Sequence, residues 1–197
     1  MVGSLAVASA VATTPVAHAV PIERSMPTDG DDVRGSLDVG TVRYLHRVGE
    51  PAQWRITTYE PWTSQQIWDD GFLWIELDTR WGEGPDHYIL LRSLGNRMVG
   101  ALFRVALLPG VADHHVADLI VHRPDAYSLA VLAPLTALEI DPARSTFRWW
   151  VRTSFVSDRC PRTCFDLVPD DPANAPSQDA PGGPPPVLRH RRGVLTA

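Results

Sequence analysis

One segment constrains the fold more than any other. From Phe147 to Phe155, Phe147, Trp149, Val151, Thr153 and Phe155 fall on one side of an extended chain, and Arg148, Trp150, Arg152 and Ser154 on the other. Side chains alternate across a strand with a period of two, so this pattern specifies an antiparallel strand with one face buried and the other largely solvated. Leu73, Ile75 and Leu77 alternate with Glu76 and Asp78 in the same way. From Leu37 onward, short runs rich in β-branched and aromatic residues are separated by Gly, Pro, Asp and Asn clusters, the rhythm of an all-β domain. Strands are expected near Leu37 to Val48, Gln53 to Glu60, Phe72 to Thr79, His87 to Leu94, Met98 to Val105, Val116 to His122, Tyr127 to Leu132 and Thr146 to Val156.

Two turns, Trp81 to Asp86 and Gly95-Asn96, each sit between apolar runs and predict a three-strand meander. No segment carries a helical stripe, although Pro134 to Leu138 fits one short turn. The expected fold is an antiparallel β-sandwich of about eight strands, jelly-roll or immunoglobulin-like, occupying residues 36–169.

The ends read differently. An apolar run from Leu5 to Ala12 followed by Ala17-His18-Ala19 fits a secretory signal over residues 1–19, so the mature chain is expected to begin near Val20 and to be secreted. Neither Lys nor Arg precedes that run, as a start codon placed too late would explain. No other stretch approaches the roughly 20 apolar residues of a membrane span. Residues 20–35 read as an acidic, flexible leader, and residues 170–197, dominated by Pro and Gly, as a disordered tail.

The net charge is -5, and the basic residues are all Arg. Nucleic-acid binding needs a positive surface to displace counterions, and the folded part offers none, which excludes that partner class.

Several groupings bear on chemistry. Asp29, Asp31, Asp32 and Asp38 surround a glycine ahead of the first expected strand and can supply hard oxygen ligands to Ca²⁺, with Asp69, Asp70 and Asp86 as further donors from distant loops. Their spacing does not fit an EF-hand, and an acidic solvated leader gives the same pattern. Glu76 and Asp78 share a strand face, roughly 6.5 to 7 Å apart at Cα, and paired carboxylates of this kind run glycoside hydrolysis; a solvated sheet face looks identical. His114, His115 and His122 resemble a metal cluster, but neighbouring strand residues point to opposite faces. Cys160 and Cys164, in an exported chain, most economically pair with each other as a staple. Trp62, Trp68 and Trp81 fall in or beside loops, where a stacking platform for sugar would stand, whereas Trp54, Trp74 and Trp149 fit a core. No nucleophile elbow, zincin motif, phosphate-binding loop or dinucleotide fingerprint is present, so a non-catalytic module is expected.

Three pieces carry a resemblance: DGDDVRGSLDVGTVRYLH; the run WRITTYEPW through FLWIELDT and PDHYILL; and TFRWWVRTSF followed by the paired cysteines. Together they resemble secreted actinobacterial β-sandwich proteins and, more distantly, sandwiches of the DOMON and family 9 carbohydrate-binding-module type. The resemblance implies a sandwich that binds sugar, haem or another ligand, with structural calcium in some members. Haem ligation would call on a Met and His pair, here Met98 and His87. The partners it implies are a polysaccharide or another exported protein.

Overall fold

The computed structural model describes residues 22–26, 29–33, 35–47, 49–64, 71–80, 84–139, 147–157 and 160–169. The proposed signal segment, the tail, Asp69, Asp70, Trp68 and Trp81 lie outside the described residues.

Ten antiparallel strands are found among the described residues: β1 (Ile22–Ser25), β2 (Val39–His46), β3 (Ala52–Thr58), β4 (Gly71–Asp78), β5 (His87–Leu94), β6 (Arg97–Arg104), β7 (His114–His122), β8 (Ser128–Ala133), β9 (Arg148–Ser157) and β10 (Cys160–Val168). Among the described residues a 3-10 turn, Leu135–Leu138, falls where the sequence allowed one. The strands form one curled sheet in the order β1-β2-β3-β8-β7-β6-β5-β4-β9-β10.

β7 makes the curl. Its first part, from His114 to Leu119, pairs with β6, and its last residues, Ile120 to His122, pair with β8. A strand that changes partner along its length turns the corner between two parts of a sheet. The far end then comes back to the near end: the Val39 amide donates to Asp166 Oδ2 at 2.7 Å, and Thr153 Oγ1 donates to the Leu37 carbonyl at 2.8 Å. This seam between β2 and the β9–β10 hairpin gives the sheet the form of a half-barrel.

The core fills the concave side. Tyr44 and Trp54 from one half meet Phe147 and Trp149 from the other, with ring centroids 5.6 Å apart for Tyr44 and Phe147 and 6.4 Å for Trp54 and Trp149. All four are buried, and each such aromatic pair adds about 0.5–1.5 kcal/mol beyond the area it removes from water. Leu73, Ile75 and Leu77 of β4 face the same core, as their alternation predicts. Gly71 starts β4 because nothing larger fits: a Cβ there would stand 2.3 Å from the Ser154 carbonyl oxygen.

The predicted meander is β4-β5-β6. Its second turn places Gly95 at φ 62° between Leu94 and Arg97, while Asn96 keeps a negative φ, the requirement of a type II′ hairpin.

Three expectations need correction. The count is ten strands, not about eight. β1 arises within the stretch expected as a flexible leader, and β10 follows the segment expected to end the sheet. The second face of β9 is not largely solvated: Trp150 is fully buried, Arg148 and Ser154 are buried, and Arg152 is half-buried. The arginines are tolerated there because β4 supplies their counter-charges. Arg148 donates to Asp78, and Arg152 donates to Glu76 at 3.0 Å.

Candidate metal centre

The seam gathers acidic residues from three parts of the chain. Asp29 and Asp32 belong to the segment between β1 and β2, Asp38 immediately precedes β2, and Asp166 lies on β10. One oxygen from each lies within 4.8 Å of those of the other three. Asp29, Asp38 and Asp166 are buried, and Asp32 is exposed.

Local structure fixes this arrangement. The Asp29 amide donates to the Gly40 carbonyl at 3.1 Å, and the Tyr59 hydroxyl donates to the Asp29 carbonyl. The Tyr59 amide donates to the Asp38 carbonyl at 3.0 Å, and the Asp38 amide to the Gly35 carbonyl at 3.3 Å. Asp166 is held by the Val39 amide. The backbone on both sides of the cluster is therefore tied into the sheet before any ion is considered.

Electrostatically the cluster is unfavourable for its own charges. Asp38 is 1% exposed, and neither of its carboxylate oxygens accepts a hydrogen bond from a donor among the described residues. Its neighbours are carboxylates: it can share a hydrogen bond with Asp31 only when one of the two holds a proton. Burial, followed by the charges of Asp166, Asp31 and Asp32, pushes the Asp38 pKa up to about 8. Burial and the negative charges of Asp38, Asp29, Asp31 and Asp32 raise the Tyr59 hydroxyl as well. A cation at the centre of the four oxygens would remove both penalties.

Among the described residues, the structure unites Asp29, Asp32 and Asp38 of the sequence-derived set. Asp31 is exposed beside them and is replaced in the four-oxygen group by Asp166. Sequence reading missed Asp166, whose signal was its place on the inward row Cys164, Asp166, Val168 of an unrecognised strand. Asp86 is no additional donor to this centre. Its Oδ2 accepts from the Thr79 and Arg80 amides at 2.9 and 2.8 Å and closes the β4–β5 hairpin.

The other groupings resolve differently. Trp62 is 2% exposed, its indole nitrogen donates to the Tyr127 carbonyl at 3.3 Å, and the Arg123 guanidinium lies 4.1 Å from its ring centroid. It anchors a loop and cannot stack on sugar. Asp78 is fully buried against Arg148, and Glu76 is held by Arg152 and the Trp150 indole, so this pair cannot flank a glycosidic bond. Burial raises the Glu76 pKa, while Arg152 and Trp150 pull it down.

His114, His115 and His122 are all exposed on β7, and His115 pairs with Asp118 at 3.0 Å. His87 pairs in register with Arg104, whereas Met98 pairs with Ser93 six residues further along β5. That separates the two by roughly 20 Å at 3.3 Å per residue, too far for one haem iron. Cys160 stands opposite Ser157 and Cys164 opposite Phe155, so β10 advances four residues while β9 advances two. The bulge brings the two cysteine positions closer than the roughly 13 Å of four regular strand steps.

No helix among the described residues is long and apolar enough to cross a membrane. A scan against protein-family models, a search of curated proteins and a search of solved structures each returned no match to this chain, so the reading of the site stands on its own residues.

Proposed function

We propose that this chain is an exported, non-catalytic binding module whose curled sheet is closed at its seam by a calcium ion held by Asp29, Asp32, Asp38 and Asp166. The observation that carries the reading is the set of four carboxylate oxygens, none more than 4.8 Å from another, around a buried Asp38 that has no donor among the described residues. Calcium binds oxygen at 2.3–2.6 Å, so the ligands of one ion spread across roughly 4.6 to 5.2 Å. Magnesium, at 2.0–2.1 Å, draws its ligands in to about 4.1 Å and demands stricter octahedral geometry. A set of four carboxylates held by the sheet suits the looser coordination that calcium accepts.

The ion would join the residues ahead of β2 to β10, the two regions the curl brings together. An exported chain meets calcium at concentrations that fill even sites of 10⁻⁴–10⁻³ M affinity. A disulfide between Cys160 and Cys164, for which the β10 bulge makes room, would hold the start of β10 from the other side. The facing of the two halves of the sheet across an aromatic core supports the finer sandwich description.

Titration calorimetry of the chelator-treated chain tests this. One Ca²⁺ per chain is expected, with weaker or undetectable Mg²⁺ binding, and Asp38→Asn removes the Ca²⁺ heat. No saturable Ca²⁺ binding, or equal binding by Asp38→Asn, would reject the reading.

A further inference from the structure

The outer face of β2, β3 and β8 carries a polar groove of about 410 Å³, within the range of small-ligand sites. Two cross-strand rows line it. In the first, Arg43 stands directly opposite Arg55. In the second, Thr41 stands opposite Thr57, and Thr57 opposite Ser128, with Thr57 Oγ1 and Ser128 Oγ 3.0 Å apart. Like charges directly opposite one another on neighbouring strands are destabilising. Each arginine has one carboxylate nearby, Glu23 at 4.0 Å from Arg43 and Asp125 at 3.5 Å from Arg55. Both contacts are long beside the 2.7–2.9 Å of a charge-assisted hydrogen bond. A guanidinium has five donors, so most of theirs stay open to a ligand.

Tyr127 borders the groove on a fixed backbone. Its carbonyl accepts from the Thr58 amide, the Thr58 hydroxyl and the Trp62 indole, and its amide donates to Asp125 Oδ1 at 2.9 Å. Tyr127 as a whole is 44% exposed. Tyr127, a row of hydroxyls and two guanidiniums only loosely paired with Glu23 and Asp125 thus converge on one polar surface, which Asp125 also lines, of a chain whose net charge is -5. That global charge opposes a dense polyanion such as nucleic acid but not an isolated carboxylate.

We propose that this groove binds an acidic oligosaccharide containing uronic-acid residues. The sugar carboxylate is received by Arg43 and Arg55, whose planar forks match it, while its hydroxyls meet Thr41, Thr57 and Ser128 and a ring face lies against Tyr127. The inference rests on the reading of the chain as a non-catalytic binding module, but not on its metal site.

Calorimetric titration of the full chain with a hexasaccharide alternating glucuronic acid and N-acetylglucosamine tests it, with the neutral N-acetylglucosamine hexamer as control. Saturable binding of the acidic hexamer is expected, at least about tenfold tighter than the neutral one and weakening with salt. Arg43→Gln, Arg55→Gln and Tyr127→Ala should each weaken it about tenfold. The arginine variants remove a like-charge contact at exposed positions, so their folding is not at risk, and unchanged circular dichroism verifies this. Absence of binding, equal binding of the neutral hexamer, or full affinity in both arginine variants overturns the proposal. Displacement of the sugar by a lower concentration of a phosphorylated peptide would assign the groove to phosphate instead. Calcium titration of the same samples separates the two readings: Ca²⁺ binding without sugar binding rejects the groove alone, and sugar binding without Ca²⁺ binding rejects the metal centre alone.

Discussion

Two acidic residues of this molecule, Asp78 on β4 and Asp38 at the seam, are almost equally buried and meet opposite surroundings. On β4, Asp78 is fully buried and Glu76 nearly so, and each faces an arginine of β9. At the seam, Asp38 is as buried as Asp78, yet the groups around it are other carboxylates. A buried charge must be paired, neutralised by a proton or matched by an ion. The β4 pair carries its own counter-ions in the chain; at the seam no donor among the described residues reaches the Asp38 carboxylate, whose charge a proton or the proposed cation would offset. The contrast separates an ion pair closed within the chain from a candidate site for an external ion, although both are built of carboxylates.

The largest effect should come from breaking the internal solution. Arg148→Met leaves Asp78 buried without its ion-pair partner and is expected to cost about 3–5 kcal/mol in urea unfolding, with much of the loss recovered when Asp78→Leu is added. If the single variant costs under about 1 kcal/mol, Asp78 is compensated otherwise and the contrast weakens. Next comes the external solution. At 100 times its dissociation constant, Ca²⁺ adds about 2.7 kcal/mol, or about 5 to 10 °C in Tm for a chain of this size. Asp38→Asn should lose that gain yet be no less stable than the natural chain in chelator, because the substitution removes a repelled charge.

The smallest effect concerns a third solution, neutrality. His87 on β5 is fully buried, and neither ring nitrogen has a partner among the described residues. Burial lowers its pKa, opposed by Glu139 and Asp86 and assisted by Arg104 and Arg80. Unfolded histidine titrates near 6.5, so below that pH the unfolded state binds the proton more readily. Stability from His87 is complete above about pH 6.5 and falls as pH drops through the folded pKa. The raised Asp38 pKa gives the opposite slope in chelator, so thermal melts between pH 7.5 and 5 in an Asp38→Asn background should show the His87 slope, and adding His87→Leu should flatten it.

Much of this was legible in the sequence, for reasons the strands make clear. Eight of the strands announced themselves by alternation or by apolar runs between turn residues, as in Leu73 to Leu77 and the Gly95-Asn96 hairpin. β1 and β10 did not. Ile22 to Ser25 has a single apolar residue, and β10 opens on Cys160-Pro161-Arg162, which reads as a chain leaving a sheet. The acidic site was half legible for the same reason: Asp29, Asp32 and Asp38 are neighbours in sequence, whereas Asp166 reaches them only because the sheet curls. Trp62 misled because position in a loop says nothing of burial. Arg43 and Arg55 were passed over because a cross-strand register joins them, and register is not written in either strand alone.

The most direct test of the calcium-closed seam is a Tb³⁺ titration of the metal-free chain, read by luminescence sensitised through its aromatic residues, Tyr59 beside the cluster among them. The account predicts saturation at one ion per chain, displacement by Ca²⁺ and loss in Asp38→Asn and Asp166→Asn alike. Luminescence that fails to saturate, or that survives both substitutions, would contradict it.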